Sequence, residues 1–94
     1  VTRAPVALKC DPEAFLAVWI GVKRFEVRRD DRKFRVGDVL RLQEHQRQDT
    51  PGGGVYSGAS IDALVTFKLP GGRYGLPDDL CVLGIEVIGR RPAS

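Results

Sequence analysis

Gly21-Val22-Lys23-Arg24-Phe25-Glu26-Val27-Arg28-Arg29 marks the point where the periodicity of the chain changes. Upstream, Asp11-Pro12-Glu13 announces a helix. Asp11 can accept from the orphan N–H groups, Pro12 suits the first helical position, and Glu13 favours the positive end of the helix dipole. Phe15, Val18 and Trp19, with Leu16 and Ile20 alongside, supply an amphipathic stripe, and Gly21 is the expected left-handed cap. From Lys23 to Arg29 the pattern becomes period two, the signature of a strand. Phe25 and Val27 are expected to point inward, which puts Glu26 and Arg28 together on the opposite face, close enough to share a ligand or bind each other.

Outward from this stretch, short strands alternate with turn signals. Val6 to Lys9 is a short apolar run, Asp30 to Lys33 a polar turn, and Gly37-Asp38 a second turn leading into a strand from Val39 to Glu44. Residues 45–58 have the composition of a flexible loop, with Thr50-Pro51-Gly52-Gly53-Gly54 at its centre. Further strands are predicted over 60–69 and 80–88, separated by the break at Pro70 to Gly75. The expected fold class is α+β, mainly β. It is a small barrel or strongly curled sheet of about five to six strands, with one N-terminal helix packed beside it. Residues 1–94 are read as a single domain with its core over about 6–88, since a chain this short cannot bury a second core.

Apolar residues make up 43% and charged residues 29% of the chain, a soluble globular composition, and no apolar run approaches the roughly 20 residues that span a bilayer. The N-terminal segment lacks the apolar stretch and small-residue cleavage site of a secretory signal, so a cytoplasmic location without membrane partners is expected. Cys10 and Cys81 are expected to be buried free thiols rather than a disulfide. The net charge of +3 is unevenly spread. Lys23, Arg24, Arg28, Arg29, Arg32, Lys33 and Arg35 stand against only Glu26, Asp30 and Asp31 between residues 23 and 35. Such a cluster attracts polyanions, although the same charges also suit a solvated strand and turn with internal pairing.

The trio Lys23, Glu26 and Arg28 combines a point charge for phosphate, an acceptor for a base edge, and a fork for phosphate or carboxylate. It describes a site for a nucleotide-like ligand. With Lys23 desolvated, the same groups could do acid–base chemistry, Glu26 serving as base; the plainer alternative is a structural ion pair between Glu26 and Arg28. Lys9, at the end of the first strand, is a second-rank candidate for the same cleft. Arg73 and Tyr74, in a glycine-rich turn, are candidates to pair a phosphate and stack a base on its opposite side. Trp19 is expected in the core, with a cleft wall as its other role. Arg24, Arg29, Arg32, Lys33 and Arg35 would form an electrostatic rim. His45 is the sole histidine and no cysteine pair has ligand spacing, so no metal and no cofactor are expected.

The run Gly21-x-Lys23-x-x-Glu26-x-Arg28, after a helix and before Val36-Gly37-Asp38-Val39-Leu40, resembles the signature of the ASCH domain family in the PUA-like superfamily. More narrowly, Leu8-Lys9, Asp11-Pro12-Glu13-x-Phe15, Asp31-Arg32-x-Phe34, Gln43-Glu44, Tyr74-Gly75-Leu76 and Cys81-Val82-Leu83-Gly84-Ile85 are similar, in order, to an uncharacterised bacterial and phage branch of ASCH-like domains. The resemblance implies a PUA-like β-barrel with a cleft between helix and barrel, and RNA or a nucleotide-like ligand as partner. It also leaves open a hydrolase acting on modified nucleosides, a ribonuclease, or a protein-interaction module of phage or prophage origin. Related enzymes carry a hydroxyl residue where Glu26 stands, and Asp78 and Asp79 lie in a segment without helical character, so binding is expected over catalysis. On this reading Arg28→Ala should cost affinity and leave the melting temperature nearly unchanged.

Overall fold

The computed structural model describes residues 3–94; the first two residues of the N-terminal segment discussed above lie outside it. The elements follow in the order β1 (Val6–Cys10), α1 (Pro12–Trp19), β2 (Phe25–Arg29), β3 (Val39–Arg47), β4 (Gly54–Leu69) and β5 (Leu80–Arg91). All five strands belong to one sheet of order β1-β3-β4-β5-β2. β1 runs parallel to β3, and every other pair is antiparallel. Register shifts between Gln43 and His45, between Asp62 and Ala63, and between Val65 and Phe67 bend the strands, as bulges do, and the sheet curls into a half-barrel. The mainly β architecture with one short helix is therefore as the sequence predicts.

Topology makes the half-barrel unusual at one place. β1 and β2 are consecutive strands joined by α1, yet they occupy opposite edges of the sheet. Curling brings the two edges close without pairing them, and α1 closes the concave side. Phe15 and Val18 of the helix are buried against Leu8, Leu40, Leu42, Ile61 and Leu83. Phe34 is buried beneath the sheet as well, so the β2–β3 connection is a packed plug as well as a polar turn. Lys68 holds that plug by donating from Nζ to Asp30 Oδ2 at 2.6 Å and to the Phe34 carbonyl at 2.9 Å.

Several expectations change. β2 begins at Phe25 rather than Lys23, and its faces are reversed: Glu26 is buried, whereas Phe25 and Val27 are 47% and 48% exposed. The outer row runs from Phe25 across Gly84 to the exposed Phe67, and from Val27 across Val82 to Leu69. The apolar residues thus cover the outside of the half-barrel, since the inner side of this edge strand faces the charged gap and not the core. Residues 45–58 are mostly strand, with only 48–53 left as the turn between β3 and β4. His45 is buried in β3 and meets Tyr56 of β4 edge-on, ring centroids 4.7 Å apart. Gly54, at φ 143°, lies under the imidazole, which any side chain there would strike. Leu16 of α1 and Ile20 at its C-cap are exposed, and Asp11 takes the N-cap position without a side-chain capping bond, its carbonyl accepting from Phe15 N–H at 2.8 Å. No helix among the described residues is long and apolar enough to cross a membrane.

Three aspartates tie the periphery down. Asp38 accepts from Arg3 Nη2 at 2.6 Å and from the Arg35 N–H at 2.8 Å, Asp30 accepts from Lys68, and Asp62 accepts from Arg41 Nε at 2.9 Å and from Arg91. These bonds hold all three carboxyls below the usual aspartate range, Asp38 chiefly through Arg3, Asp30 through Lys68 and Asp62 through Arg41. A carboxyl with a depressed folded-state pKa adds stability above its unfolded value of about 3.9 and loses it as pH falls through the lower folded value. The urea midpoint is therefore expected to hold level near neutrality and to fall steadily below about pH 4. Asp38→Asn should lower the midpoint at pH 6 and flatten that acid limb, as a pH series of urea melts would show.

Candidate functional site

The gap between β1 and β2 is where the chemistry of the chain collects. Alternation along β2 sends Glu26 and Arg28 to the same inner side, and the turn after α1 delivers Lys23 beside them. That turn is built on Gly21 at φ 88°, with Val22 and Lys23 N–H groups both donating to the Ala17 carbonyl at 3.0 Å. Lys23 Nζ donates to Glu26 Oε1 at 2.7 Å and to the Phe25 carbonyl at 2.7 Å. Arg28 Nε donates to Glu26 Oε2 at 2.9 Å, and its Nη2 donates to the Lys9 carbonyl on β1 at 2.8 Å. One carboxylate, 3% exposed, thus sits between two cations, and one of those cations ties the edge of β2 to the edge of β1.

The arrangement keeps donors in reserve. An ammonium has three N–H bonds and a guanidinium five, so Lys23 and Arg28 both retain donors beyond those given to Glu26 and the backbone. Beside them the concavity holds about 340 Å³ and is bordered by Lys9, Cys10, Asp11, Ala14, Lys23 and the first four residues of β2. The N-terminal turn of α1 opens onto the same space, and its unbonded N–H groups add positive potential. The chemistry on offer is recognition of an anion with polar groups attached. Glu26 has both oxygens engaged by cationic donors, so its geometry is that of a group that orients Lys23 and Arg28. Lys23 also lies 4.8 Å from the centre of the Phe25 ring, a cation–π contact that fixes its stem.

The other sequence candidates distribute as follows. Lys9, the second-rank candidate, borders the gap, where its carbonyl accepts from Arg28. Arg73 and Tyr74 do not border it: Tyr74 is 91% exposed, at φ 52°, in the β4–β5 turn. Trp19 packs on Phe15 with ring centroids 5.8 Å apart and forms no wall of the gap. The rim divides. Arg29 and Arg32 flank the gap on the Phe34 side, Arg24 lies on the outer side near Glu86 and Arg90, and Lys33 and Arg35 lie near Arg3 and Lys68. Two of these arginines face acidic neighbours, Arg29 at 3.7 Å from Asp79 and Arg32 at 3.9 Å from Asp31. Sequence reading missed Cys10 and Asp11 as wall residues. It also missed the Lys9 carbonyl, a main-chain contact that no residue type could have announced.

Cys10 and Cys81 are free and buried. Burial pushes the Cys10 thiol up to about 11, the Glu26 carboxylate adding to the rise, and burial likewise raises Cys81. Among the described residues no cluster of three or more His, Cys, Asp or Glu side chains is placed to hold a metal ion.

The fold is thus a half-barrel whose open seam is lined by a buried carboxylate paired with two cations. The chain belongs to the family described as Domain of unknown function (DUF3850), whose model matches residues 6–85. No curated protein matches the chain.

Two outcomes follow from the geometry. Glu26→Ala leaves Lys23 and Arg28 without their buried partner and should lower unfolding free energy by about 3 kcal/mol, and Arg28→Ala should also lower it, by stranding half of the carboxylate and releasing β1. This replaces the expectation of an unchanged melting temperature for Arg28→Ala; denaturant melts of both variants check it. Cys10 and Cys81 should also resist a thiol reagent at pH 8 in the native protein and react at once in denaturant, since only the thiolate attacks.

Proposed function

We propose that this domain is an ASCH-like member of the PUA-like superfamily that binds RNA or a nucleotide-type ligand in the gap between β1 and β2. One observation supports the reading above the others. The seam where a barrel would close by strand pairing holds instead a preorganised pair of cations, Lys23 and Arg28, oriented by a buried carboxylate and left with free donors. Preorganised donors lose little entropy on meeting a phosphate, and an arginine fork matches phosphate oxygens. The concavity, at about 340 Å³, is within the span of small-ligand sites. The occupied oxygens of Glu26 favour binding over a hydrolase that would use this carboxylate as its base.

Lys9 is the discriminating residue. Lys9 borders the gap and its side chain makes no ion pair among those found in the described residues, so removing that side chain tests binding without disturbing Glu26. Lys9→Ala is expected to weaken binding of a single-stranded RNA several-fold while leaving the urea midpoint within error. The logarithm of the wild-type association constant should fall linearly with the logarithm of salt concentration, with a slope of about −0.7 per phosphate contacted. Fluorescence anisotropy across a salt series checks both. Binding that is indifferent to salt and to Lys9 would remove the reading.

A further inference from the structure

The gap is one chamber of a longer groove. Lys9 borders three concavities: the gap itself, a space of about 800 Å³ under the β3–β4 turn, and a space of about 450 Å³ on the Phe34 side. Neighbouring chambers share further walls. Asp11 is common to the turn chamber and the gap, and Arg28 is common to the gap and the Phe34-side chamber. Lys9 is thus the residue common to all three, and the gap shares a second wall with each of the other two.

Each chamber has its own cation. Arg47 borders the first, Lys23 and Arg28 the second, and Arg29 and Arg32 the third. Asp11 and Asp49 offset Lys9 and Arg47 in the first chamber, so the positive excess lies in the gap and above all in the Phe34-side chamber, where Lys9, Arg28, Arg29 and Arg32 stand against Asp31. Tyr56 borders the third chamber, is 49% exposed, and is held edge-on by His45. It offers a fixed aromatic surface for a base to stack on. His45 of the first chamber and Tyr56 of the third are thus in contact.

We propose that the groove takes a single-stranded oligonucleotide, with a backbone phosphate near Lys9 and Arg28 and flanking nucleotides in the two outer chambers, rather than one nucleotide confined to the gap. The inference rests on the reading of the gap as a nucleic-acid site and adds the length and form of the ligand. A chain of chambers, each of small-ligand size, fits successive units of a flexible strand. A single strand can splay its bases into separate recesses and onto an aromatic face, which a stacked duplex cannot do.

The test is an anisotropy competition against the native chain with uridine 5′-monophosphate, oligouridylates of increasing length up to about eight nucleotides, and a duplex of matched length. Affinity is expected to rise on the order of tenfold or more from the mononucleotide to a plateau at about three to four nucleotides, with the duplex weaker than the single strand. Arg47→Ala and Arg32→Ala should lower affinity for plateau-length strands more than for the mononucleotide, while Lys9→Ala lowers both. A mononucleotide that binds as tightly as the longer strands overturns the groove and leaves the gap reading standing. No binding at any length overturns both. A duplex preferred to the single strand, or a glutamate-rich peptide that competes as well as the plateau-length strand, overturns the proposed ligand.

Discussion

The structure depends on one buried carboxylate. Glu26 is inside a protein that offers it no apolar reason to be there, and a lone carboxylate so placed would cost several kcal/mol. Lys23 and Arg28 offset that cost by approaching opposite oxygens, so the two cations are fixed by the anion they neutralise. The further bond from Arg28 to the Lys9 carbonyl turns a local ion pair into a cross-link between the edges of the sheet. Without it, β1 and β2 would be two open edges facing each other across solvent, each with unpaired backbone groups. The charged seam does the work that hydrogen-bonded pairing does elsewhere in the sheet.

That substitution has a cause in the connectivity. β1 pairs in parallel with β3 and leaves its other edge unpaired, and α1 carries the chain to β2 at the far edge of the sheet. The helix is eight residues long, and the turn at Gly21 returns the chain directly to β2. Lys23 lies in that return, which is why a residue outside the strand completes a strand-borne pair. The helix start, the strand edge and the lysine meet at the same place for reasons of topology alone. Function is then available wherever such a meeting leaves donors unspent.

Much of this was legible in the sequence. The helix between Asp11 and Gly21, the number of strands, the free buried cysteines and the grouping of Lys23, Glu26 and Arg28 follow from spacing and residue type. The orientation of β2 did not follow. Alternation separates two faces without saying which of them is inside, and the rule that apolar residues are buried fails on an edge strand whose inner side meets charges. Phe25 and Val27 consequently lie outside, beside Phe67 across Gly84. The glycine-rich stretch around Gly54 misled in a similar way. Its glycines do not loosen the chain there; Gly54 makes room for His45, and the strands continue almost to the turn.

On the proposed reading, closure and recognition share the same side chains, and that has a physical consequence. A ligand phosphate that approaches Arg28 competes with neither Glu26 nor the Lys9 carbonyl as long as it uses the donors left free, so binding need not open the seam. An anion that displaced Glu26 would instead expel a carboxylate into a buried space and undo the cross-link, at a cost comparable to breaking a buried ion pair. The seam therefore favours ligands that add to the network over those that replace part of it. Such a ligand brings one diffuse negative charge and polar edges rather than a compact multiply charged anion. A phosphodiester linkage carries that single charge, whereas a terminal phosphate or a pyrophosphate carries more, and the favoured ligand is one that lies across the gap instead of ending in it.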